Sequence, residues 1–514
     1  MSGTERKQES TLFVRETTGL VKQVSFLDTI AINISYMSVG AALALIGFTM
    51  ILLPTDSGVN LVYGSVIAAV IAIPQVIVYT MMQRRVSRTG GDYVWMSRSL
   101  GGFLGSSVSF MGITMETMPY LALIALSVVF AIGSVGVVMG NAGMNSLASS
   151  GSDPLLQFLV GSIILIALIA LNIVRPRAGF RIISLFWIFG LFALVVSISA
   201  LLFAGKSGVA NYVDSLNIAN TTYNSVAASY HGSNFNLGNT LLILPYFALF
   251  SYPWFNAAPS VGSEIKGRRT ISWNAPLSLV LTFILITVPF ATMYYVGGFA
   301  FTNGALTNAN LVYDHSFNFW TLAMGVSNNF VVQLVIGLGW ILFTMAVLAF
   351  GIITISRYLL AQSFDRFLPE RLAYVSPRFA SPVMAHLLDL VITVALIGLA
   401  SFLYGTISSL YGAVVAAMIY FAFVGLAAVI YAIRHEKAGK KVLLAVAGGL
   451  QVLVFGYLTY EFFAYYQVWG GNSLAYGYIL STFIAGALIY FVSKKRHLKR
   501  GIDISMAFKE IPPD

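Results

Sequence analysis

The stretch NTLLILPYFALFSYPWFNAAPSVGSE at residues 239–264 decides how this sequence folds, because it is apolar enough to cross a membrane and yet cannot form one helix. It contains Pro245, then the polar run SYPWFN at 251–256, then Pro259 and Gly262. A proline inside a helix removes a backbone donor and clashes with the preceding turn. In lipid, such a break is tolerated only where it faces protein or a watery cavity. The stretch therefore predicts a broken membrane span that lines an internal site.

A second interruption stands at residues 33–40, where NISYMSVG places polar and small side chains between two apolar halves. These two stretches are the first and sixth apolar segments, which match in position if spans 1–5 and 6–10 are two halves of the fold. Paired interruptions at matching positions point to a transporter site between inverted repeats. Small residues also allow helices to pack closely. The alternative to a binding site is therefore that the two interruptions are kinks that bind no ligand.

Composition places the rest of the chain in a membrane as well. Of 514 residues, 58% are apolar and 9% are charged, whereas a soluble domain has about 45–50% apolar and about 25% charged residues. A globular protein this poor in charge could not keep its surface hydrated, which excludes a soluble enzyme, a nucleic-acid binder and a disordered chain. The sequence has no cysteine, which also excludes disulfides and thiol chemistry.

We predict an all-α integral membrane protein with twelve transmembrane helices, since about 20 apolar residues cross the roughly 30 Å hydrocarbon core. The predicted spans are residues 27–53, 61–82, 103–135, 155–174, 182–204, 239–264, 275–299, 330–360, 383–404, 408–433, 442–468 and 473–493. The N-terminal segment lacks the short apolar core of a signal peptide, so the first span is expected to stay in the mature protein.

Charge placement predicts the topology. Every lysine and arginine except Lys206 falls in a tail or in the loops of one side, provided that all twelve spans cross. Such loops lie in the cytoplasm, so both termini are predicted there, in a multi-pass protein of the plasma membrane. The net charge of +10 then reflects topology and attraction to anionic membrane lipids, with no nucleic-acid partner. The two longest loops of the other side, 205–238 and 300–329, are predicted to be extracellular caps.

The predicted organisation follows from these spans. It comprises a cytoplasmic tail at 1–26, a first repeat of helices 1–5 at 27–204, an extracellular loop at 205–238, a second repeat of helices 6–10 at 239–433, helices 11 and 12 at 434–493, and a cytoplasmic tail at 494–514. The sequence leaves the oligomeric state open.

Glu116 is the deepest acidic residue, 13 residues into the predicted span 103–135 and therefore roughly 20 Å from its cytoplasmic end. Ionisable groups in hydrocarbon usually face a cavity or a partner. Glu116 is therefore either a proton acceptor or ligand for a cationic group, or a buried hydrogen-bonding group. Asp389, Glu461 and Glu264 lie nearer to helix ends, and we predict structural pairs for them.

Several loop motifs resemble those of the amino-acid permeases in the amino acid–polyamine–organocation (APC) superfamily. They are RTGGDYVWMSRSLG at 88–101, EIKGRRTI at 264–271, SRYLLA at 356–361, FDRFLP at 364–369 and PRFASPV at 377–383. The resemblance covers about residues 30–495. It implies a five-plus-five inverted repeat (LeuT-like) with broken helices 1 and 6, followed by two extra C-terminal helices. The motifs themselves are expected to form a cytoplasmic gate and scaffold, because Arg and Asp can lock adjacent loops there.

The chain also departs from that family. Gly267 stands where a proline is usual, and the first break lacks the usual Gly-Ser-Gly run. Trp254 and Asn256 stand near positions where many relatives carry Gly and Glu. The resemblance therefore transfers the fold and the place of the site better than the substrate.

The resemblance implies a secondary active transporter of amino acids that works by alternating access, and no enzyme. Half-helix N-termini suit a carboxylate and unwound carbonyls suit an ammonium group, so a zwitterion matches both. A polyamine or other organic-cation transporter or exchanger is the alternative, favoured if Glu116 meets a ligand ammonium. The predicted substrate-binding residues are Ser35, Tyr36, Ser38, Gly40, Glu116, Tyr252, Trp254 and Asn256.

No cofactor is predicted beyond a coupling ion, and no metal other than sodium. The fold can hold a cation between the unwound part of helix 1 and helix 8, where Thr354 and Ser356 stand. Some relatives place a lysine of helix 5 there and use protons, but the predicted helix 5, 182–204, has no lysine. This leaves sodium at Thr354 and Ser356, or a proton on Glu116, which is slightly favoured because loss of hydration favours a protonated carboxyl group.

Overall fold

The computed structural model describes residues 22, 24–54, 56–147, 153–379, 381–404 and 410–510. Most of the predicted tail at 1–26 and residues 511–514 of the predicted tail at 494–514 lie outside the described residues. Within the described ranges the chain is helical, and its isolated bridges form no strand. The predicted all-α class is confirmed for these residues.

The helices follow one another with short connections. In chain order they are α1 (Phe26–Tyr36), α2 (Val39–Met50), α3 (Leu61–Arg85), α4 (Gly91–Ser99), α5 (Gly102–Ser109), α6 (Glu116–Met139), α7 (Ala142–Asn145), α8 (Pro154–Val174), α9 (Pro176–Ser215), α10 (Tyr223–Ser229), α11 (Leu237–Leu241), α12 (Leu244–Phe250), α13 (Ala257–Ser260), α14 (Arg268–Gly297), α15 (Phe299–Leu306), α16 (Phe319–Gly325), α17 (Phe330–Phe364), α18 (Val383–Leu399), α19 (Tyr411–His435), α20 (Ala438–Ala464) and α21 (Ser473–Leu498).

Eleven stretches are long and apolar enough to cross a membrane, counting only the residues that the structure describes. Two of them are composite, because α1 continues into α2 and α5 continues into α6 through a π-helical turn at Phe110–Met115. The others lie in α3, α8, α9, α14, α17, α18, α19, α20 and α21. A chain with this many helices of crossing length is a multi-pass membrane protein.

The sixth predicted span, 239–264, has no continuous helix of crossing length. It consists of α11, α12, a non-helical segment, α13 and a 3₁₀ turn at Gly262–Glu264. Pro245 stands in the first turn of α12, whereas the non-helical segment holds Pro253. The stretches of crossing length therefore give eleven crossings among the described residues, and the predicted twelfth depends on this broken segment.

The two longest predicted loops are partly helical. α9 runs beyond the predicted end at 204 as far as Ser215, with a kink at Gly205, whose φ is 59°. Loop 205–238 also contains α10, and loop 300–329 contains most of α15 and all of α16. The ring of Tyr223 in the first loop stacks on Phe301 in the second, with centroids 4.5 Å apart. The two loops therefore pack on each other at one end of the helix bundle.

The first composite span occupies the centre of the bundle. From Thr29 through Gly47 every residue of α1 and α2 is buried, whereas α9, α14 and α21 expose large apolar side chains on one face. Burial of every side chain shows that protein surrounds this span, whereas exposed apolar faces suit contact with lipid. α17 packs along the same span, since a side chain at Gly40 would meet Thr344 and a side chain at Gly351 would approach Tyr36.

Candidate functional site

The first span breaks between α1 and α2. α1 ends at Tyr36, and Ser38 adopts the left-handed conformation, with φ of 51°, before α2 begins at Val39. Such a conformation costs a non-glycine residue about 1–3 kcal/mol, so the surrounding structure must hold it. No side chain caps α2. The first backbone N–H groups of α2 therefore have no partner within the helix and face the break.

The sixth span breaks between α12 and α13, where residues 251–256 are not helical. The side chain of Gln75 in α3 donates to the carbonyl of Pro253 at 2.9 Å. The indole N–H of Trp254 donates to the carbonyl of Leu249 at 3.0 Å. Side chains thus satisfy backbone carbonyls that the interrupted helix leaves free, as burial in a membrane requires.

The two breaks are joined directly by hydrogen bonds. The Asn33 side chain accepts from the backbone N–H of Ala258 at 2.9 Å and donates to the side-chain oxygen of Asn274 at 2.9 Å. Just before α1, Val24 also pairs with Ile265 as an isolated parallel bridge. Asn33 therefore holds α1, the N-terminal half of the first span, against α13, which follows the break of the sixth span.

Three aromatic rings meet between the breaks, and we call Tyr36, Tyr120 and Trp254 the aromatic cluster. Tyr120 stacks on Trp254 with centroids 4.7 Å apart, and Tyr36 makes edge contacts of 5.5 Å with both. The Tyr120 hydroxyl also donates to the carbonyl of Tyr36 at 3.2 Å. Each ring pair adds about 0.5–1.5 kcal/mol beyond the area it buries. The cluster joins α1, α6 and the sixth-span break.

Several buried polar atoms on or beside these breaks have no hydrogen-bond partner, although such atoms also occur elsewhere in the described residues. At the breaks they are the hydroxyls of Ser35, Tyr36, Ser38 and Ser251, the side-chain oxygen of Asn256 and both carboxylate oxygens of Glu116. A buried polar group left unpaired costs about 1–3 kcal/mol, and more when it is charged. Polar atoms retained at this cost on both breaks are the arrangement expected of a ligand site.

Glu116 starts α6 directly after the π-helical turn at Phe110–Met115. Insertions of this kind within helices are frequent at functional sites. Glu116 precedes Tyr120 by four residues, so the two side chains lie on one helix face. The Glu116 carboxylate also acts electrostatically on the hydroxyls of Tyr36 and Tyr478. The structure thus places Glu116 beside the aromatic cluster, as a buried group without a partner.

The structure places Tyr252 away from the other predicted site residues. Its hydroxyl lies 2.7 Å from the Ser65 hydroxyl of α3, which in turn lies 2.8 Å from that of Thr287 in α14. Neighbouring side chains of a non-helical segment need not share a face, and Trp254 turns toward Tyr36. Ser35, Tyr36, Ser38, Gly40, Trp254, Asn256 and Glu116 lie at or beside the two breaks, whereas Tyr252 packs behind them.

Thr354 and Ser356 lie in α17, where Gly351 faces Tyr36 and the next turns lead away from the break. The Ser356 hydroxyl donates to the carbonyl of Ile353 at 2.7 Å and accepts from the Arg357 guanidinium at 3.0 Å. A guanidinium bound to this oxygen repels a second cation. The Ser356 hydroxyl is therefore a poor ligand for sodium in this arrangement.

One end of the site is closed by the second long loop. The indole N–H of Trp320 in α16 donates to the carbonyl of Gly40 at 3.0 Å, and its ring stacks on Trp340 of α17. Tyr246 of α12 donates to the carbonyl of Ala42. These contacts bring loop 300–329 directly onto the first-span break, so the predicted cap reaches the candidate site.

The opposite end, which carries Arg98, Arg357 and the other basic loops, is closed by ion pairs, and we call it the basic end. Arg98 binds both carboxylate oxygens of Asp365 at 2.5 and 2.8 Å. Arg357 binds both oxygens of Glu264 at 2.9 and 3.3 Å. These buried pairs connect motifs that the sequence predicted to form a gate, and the predicted structural pair of Glu264 is present. For Asp389, the structure shows a hydrogen bond from Thr393.

Asp92 of α4 is a buried carboxylate at the basic end that receives phenol hydroxyls. Tyr79 of α3 and Tyr358 of α17 each donate to it at 2.6 Å. Asn256 of the sixth-span break donates to the Tyr358 hydroxyl at 3.2 Å. Burial raises the pKa of the Asp92 carboxyl from 3.8 to about 6, while the hydrogen bonds from the tyrosines oppose this rise. A chain of hydrogen bonds therefore connects Asp92 to the candidate site.

We expect Asp92 to make stability depend on pH. Because its native pKa of about 6 lies above its ordinary value of 3.8, the native state holds the proton over a wider range than the unfolded chain. The stabilisation of the native state by the protonated Asp92 carboxyl is complete below pH 3.8 and is lost as pH rises through about 6. As pH rises between these limits, the free energy of unfolding of the wild type should fall by about 2–3 kcal/mol relative to that of Asp92→Asn.

Thermal unfolding of the purified protein at a series of pH values measures this difference. Asp153→Asn is the matched control, because Asp153 is exposed and caps α8, a role that Asn performs equally well. Parallel pH curves for the wild type and Asp92→Asn would contradict the assignment.

Sequence reasoning missed several residues at this site, namely Asn33 as a cross-link, Asp92, Tyr120, Trp320 and Tyr358. The signal for Asn33 was its place in the interrupted run at 33–40. Tyr120 carried a weaker signal, since it follows Glu116 by one turn. Trp320 and Tyr358 are recognised only when α16 and α17 are placed against the first and sixth spans.

The helices and the two interrupted spans define a multi-pass membrane protein of the permease type. The chain belongs to the amino acid permease family, whose profile matches residues 24–499. It is therefore a member of the APC superfamily and a membrane transporter, in agreement with the resemblance of its loop motifs. A similar protein is Uncharacterized protein 399 of Sulfolobus islandicus rod-shaped virus 1, which is 22% identical over 497 residues, covering 94% of this chain and 98% of that one.

Proposed function

We propose that the protein is a secondary active transporter that moves an amino acid across the plasma membrane by alternating access. The observation that carries the proposal is the set of unpaired, buried polar atoms on both breaks, together with Glu116. Inverted-repeat transporters bind substrate between interrupted helices near the membrane midplane. In this proposal the broken sixth span completes twelve crossings, helices 1–5 and 6–10 form the inverted repeats, and the basic end faces the cytoplasm with both termini.

The substrate carboxylate binds at the start of α2. Its first N–H groups have no side-chain cap, and a helix N-terminus carries partial positive charge. The unpaired hydroxyls of Ser35 and Ser38 belong to residues that shortly precede this point. A carboxylate placed here accepts hydrogen bonds from backbone donors that otherwise stay unsatisfied.

The substrate ammonium group binds toward Glu116 and the unwound carbonyls. Both carboxylate oxygens of Glu116 lack a partner, and the faces of Tyr36 and Trp254 attract cations. Asn256 adds an unpaired side-chain oxygen. The aromatic cluster then packs against the substrate side chain, and its rings must separate to admit it.

Transport opens the two ends in turn. Trp320 on Gly40 closes one end, and the Arg98–Asp365 and Arg357–Glu264 pairs close the other. All of these contacts are formed at once, as the proposal requires of an occluded step of the cycle. Breaking the ion pairs releases the substrate toward the basic end.

A panel of ligands tests the substrate class. A ligand that binds only the native state raises stability by mass action, by about 2.7 kcal/mol at a hundred times its dissociation constant. Thermal unfolding of the purified protein with each amino acid should therefore identify one or a few stabilising ligands. Asn256→Ala should lose the shift, whereas Asn328→Ala, a substitution in an exposed loop, should keep it.

The second candidate is a carrier of polyamines or other organic cations. The unpaired Glu116 beside aromatic faces favours it, because this pair of features suits a cation without a carboxylate. Stabilisation by putrescine or spermidine, with no effect of any amino acid, would replace the first candidate by this one.

We propose that transport is coupled to protons and that Glu116 is the group that carries the proton. Ser356 is occupied by Arg357, so sodium at Thr354 and Ser356 is less well supported. We expect Glu116→Gln to abolish proton-driven accumulation in proteoliposomes, because the amide cannot take up and release a proton. Uptake under separate proton and sodium gradients measures this effect, with Glu461→Gln of α20 as the matched control.

Full proton-driven accumulation by Glu116→Gln would show that Glu116 is not the coupling group. If neither gradient drives uptake by the wild type, the protein is an exchanger or a facilitator.

A further inference from the structure

An open cleft at the basic end lies between the last turn of α3 and the first turn of α14. It has a volume of about 420 Å³ and is lined by Arg84, Arg268, Arg269, Ser272 and Trp273. The three arginines are exposed. Among the described residues, none of them has a carboxylate within ion-pair distance. The cleft therefore holds three positive charges that no acidic side chain within the described ranges neutralises.

The start of α14 adds to this positive charge. Its N-cap is Gly267, so no side chain accepts a hydrogen bond from its first N–H groups. The helix dipole places partial positive charge at this end, where two arginines are unfavourable unless an anion is bound. The Arg84 guanidinium is held toward the same point, because it donates to the Ser272 hydroxyl at 2.7 Å, and that hydroxyl donates to the carbonyl of Arg268 at 2.8 Å.

Exposed apolar side chains form a stripe on each of the two helices. On α14 the exposed side chains are Trp273, Val280, Ile284 and Val288. On α3 they are Tyr63, Val66, Val70 and Ile73. Both sets have helical spacing of three, four or seven residues, so each forms a single stripe. Arg269 precedes Trp273 by one turn, so the stripe of α14 begins at the cleft, whereas about three helical turns separate Ile73 from Arg84 on α3.

We propose that this cleft binds the phosphate headgroup of an anionic phospholipid, whose acyl chains lie along the stripe of α14. Arginine recognises phosphate through paired N–H donors, and basic pockets between membrane helices bind anionic lipid headgroups. Trp273 is 56% exposed one turn from Arg269, and tryptophan is enriched at membrane interfaces. The stripe selects a lipid over a free phosphate, because only an amphiphile covers both the charge and the apolar surface.

The inference rests on the position of the cleft in the membrane and not on the transported substrate. A failure of amino-acid transport leaves it intact, and a failure of lipid binding leaves the proposed transport function intact.

Native mass spectrometry of the full chain in detergent tests the proposal, with titrations of phosphatidylglycerol and phosphatidylcholine. We expect the wild type to bind the first phosphatidylglycerol at least about tenfold more tightly than phosphatidylcholine, and Arg268→Gln/Arg269→Gln to lose this preference. Lys437→Gln/Lys440→Gln is the matched control. It removes two exposed charges at the uncapped start of α20, at the same end of the bundle, as the Arg85–Glu436 pair shows.

Thermal unfolding with inorganic phosphate or glycerol 3-phosphate distinguishes a lipid from a soluble anion. The proposal requires that phosphatidylglycerol stabilise the wild type and that neither soluble anion do so at the same concentration. Equal stabilisation by glycerol 3-phosphate, equal loss of preference in the lysine control, or an unchanged preference in the arginine variant would each overturn it. If the double variant unfolds without lipid, Arg84→Gln provides the same comparison with one exposed charge removed.

Discussion

Replacing Gly40 by valine is expected to abolish substrate uptake while the protein still reaches the membrane. A Cβ at this position would lie 2.8 Å from the Thr344 hydroxyl and 3.1 Å from the Thr344 backbone nitrogen. The backbone nitrogen cannot move without displacing α17, so the start of α2 must move instead. That movement breaks the hydrogen bond from Trp320 to the Gly40 carbonyl and displaces the N–H groups proposed to hold the substrate. Overpacking of this kind costs about 1–3 kcal/mol.

Uptake by proteoliposomes, corrected for the amount of protein inserted, measures the effect. Gly449→Val is the matched control, because Gly449 also lies within a membrane helix but has nothing within 4 Å of its Cβ position. Gly40→Ala should retain at most about a tenth of wild-type uptake, and adding Thr344→Ala should restore part of it. Normal uptake by Gly40→Val would remove the start of α2 from the proposed substrate site.

The second large effect concerns the ion pair of Arg98 and Asp365. Asp365→Asn leaves a guanidinium buried without its counter-charge, since Arg98 has a side-chain exposure of 9% and Asp365 of 0%. Breaking a buried pair by removing one partner costs about 3–5 kcal/mol. The Tyr93 hydroxyl, which donates to Asp365 at 2.8 Å, loses its ionised acceptor as well. We therefore expect a strong fall in the unfolding temperature and in uptake.

Thermal unfolding of the purified variant compares this cost with that of an exposed pair. Glu370→Gln removes the partner of Arg366, with Glu370 59% exposed, and exposed pairs contribute about 0–1 kcal/mol. Similar unfolding temperatures for the two variants would show that the Arg98–Asp365 pair does not hold the basic end closed.

The interruptions of the first and sixth spans could be predicted because their causes are local. Pro245, Pro253 and Pro259 stand close together around the polar run 251–256, whereas the single prolines Pro74 and Pro119 leave α3 and α6 continuous. The polar run at 33–40 likewise pointed to the place where Ser38 takes the left-handed conformation. The depth of Glu116 could also be read from the apolar residues on either side.

Other features depend on residues that are distant in sequence. Asp92 stands in a loop motif and would be solvated if Tyr79 and Tyr358 did not cover it, and these three residues are joined only by the fold. Tyr252 was grouped with Trp254 because the two are close in sequence, yet the irregular backbone turns them to different neighbours. The role of loop 300–329 was incompletely predicted for the same reason, since Trp320 reaches a carbonyl 280 positions earlier.

The most direct test of the proposed function is counterflow in proteoliposomes. Vesicles containing the purified protein are loaded with one unlabelled amino acid, diluted, and supplied with a trace of the same amino acid in labelled form. An amino-acid carrier that alternates around one site predicts saturable, transient accumulation of the label, dependent on the internal load and absent from Gly40→Val vesicles. No counterflow for any amino acid, from protein that unfolds cooperatively and is therefore intact, would contradict the account.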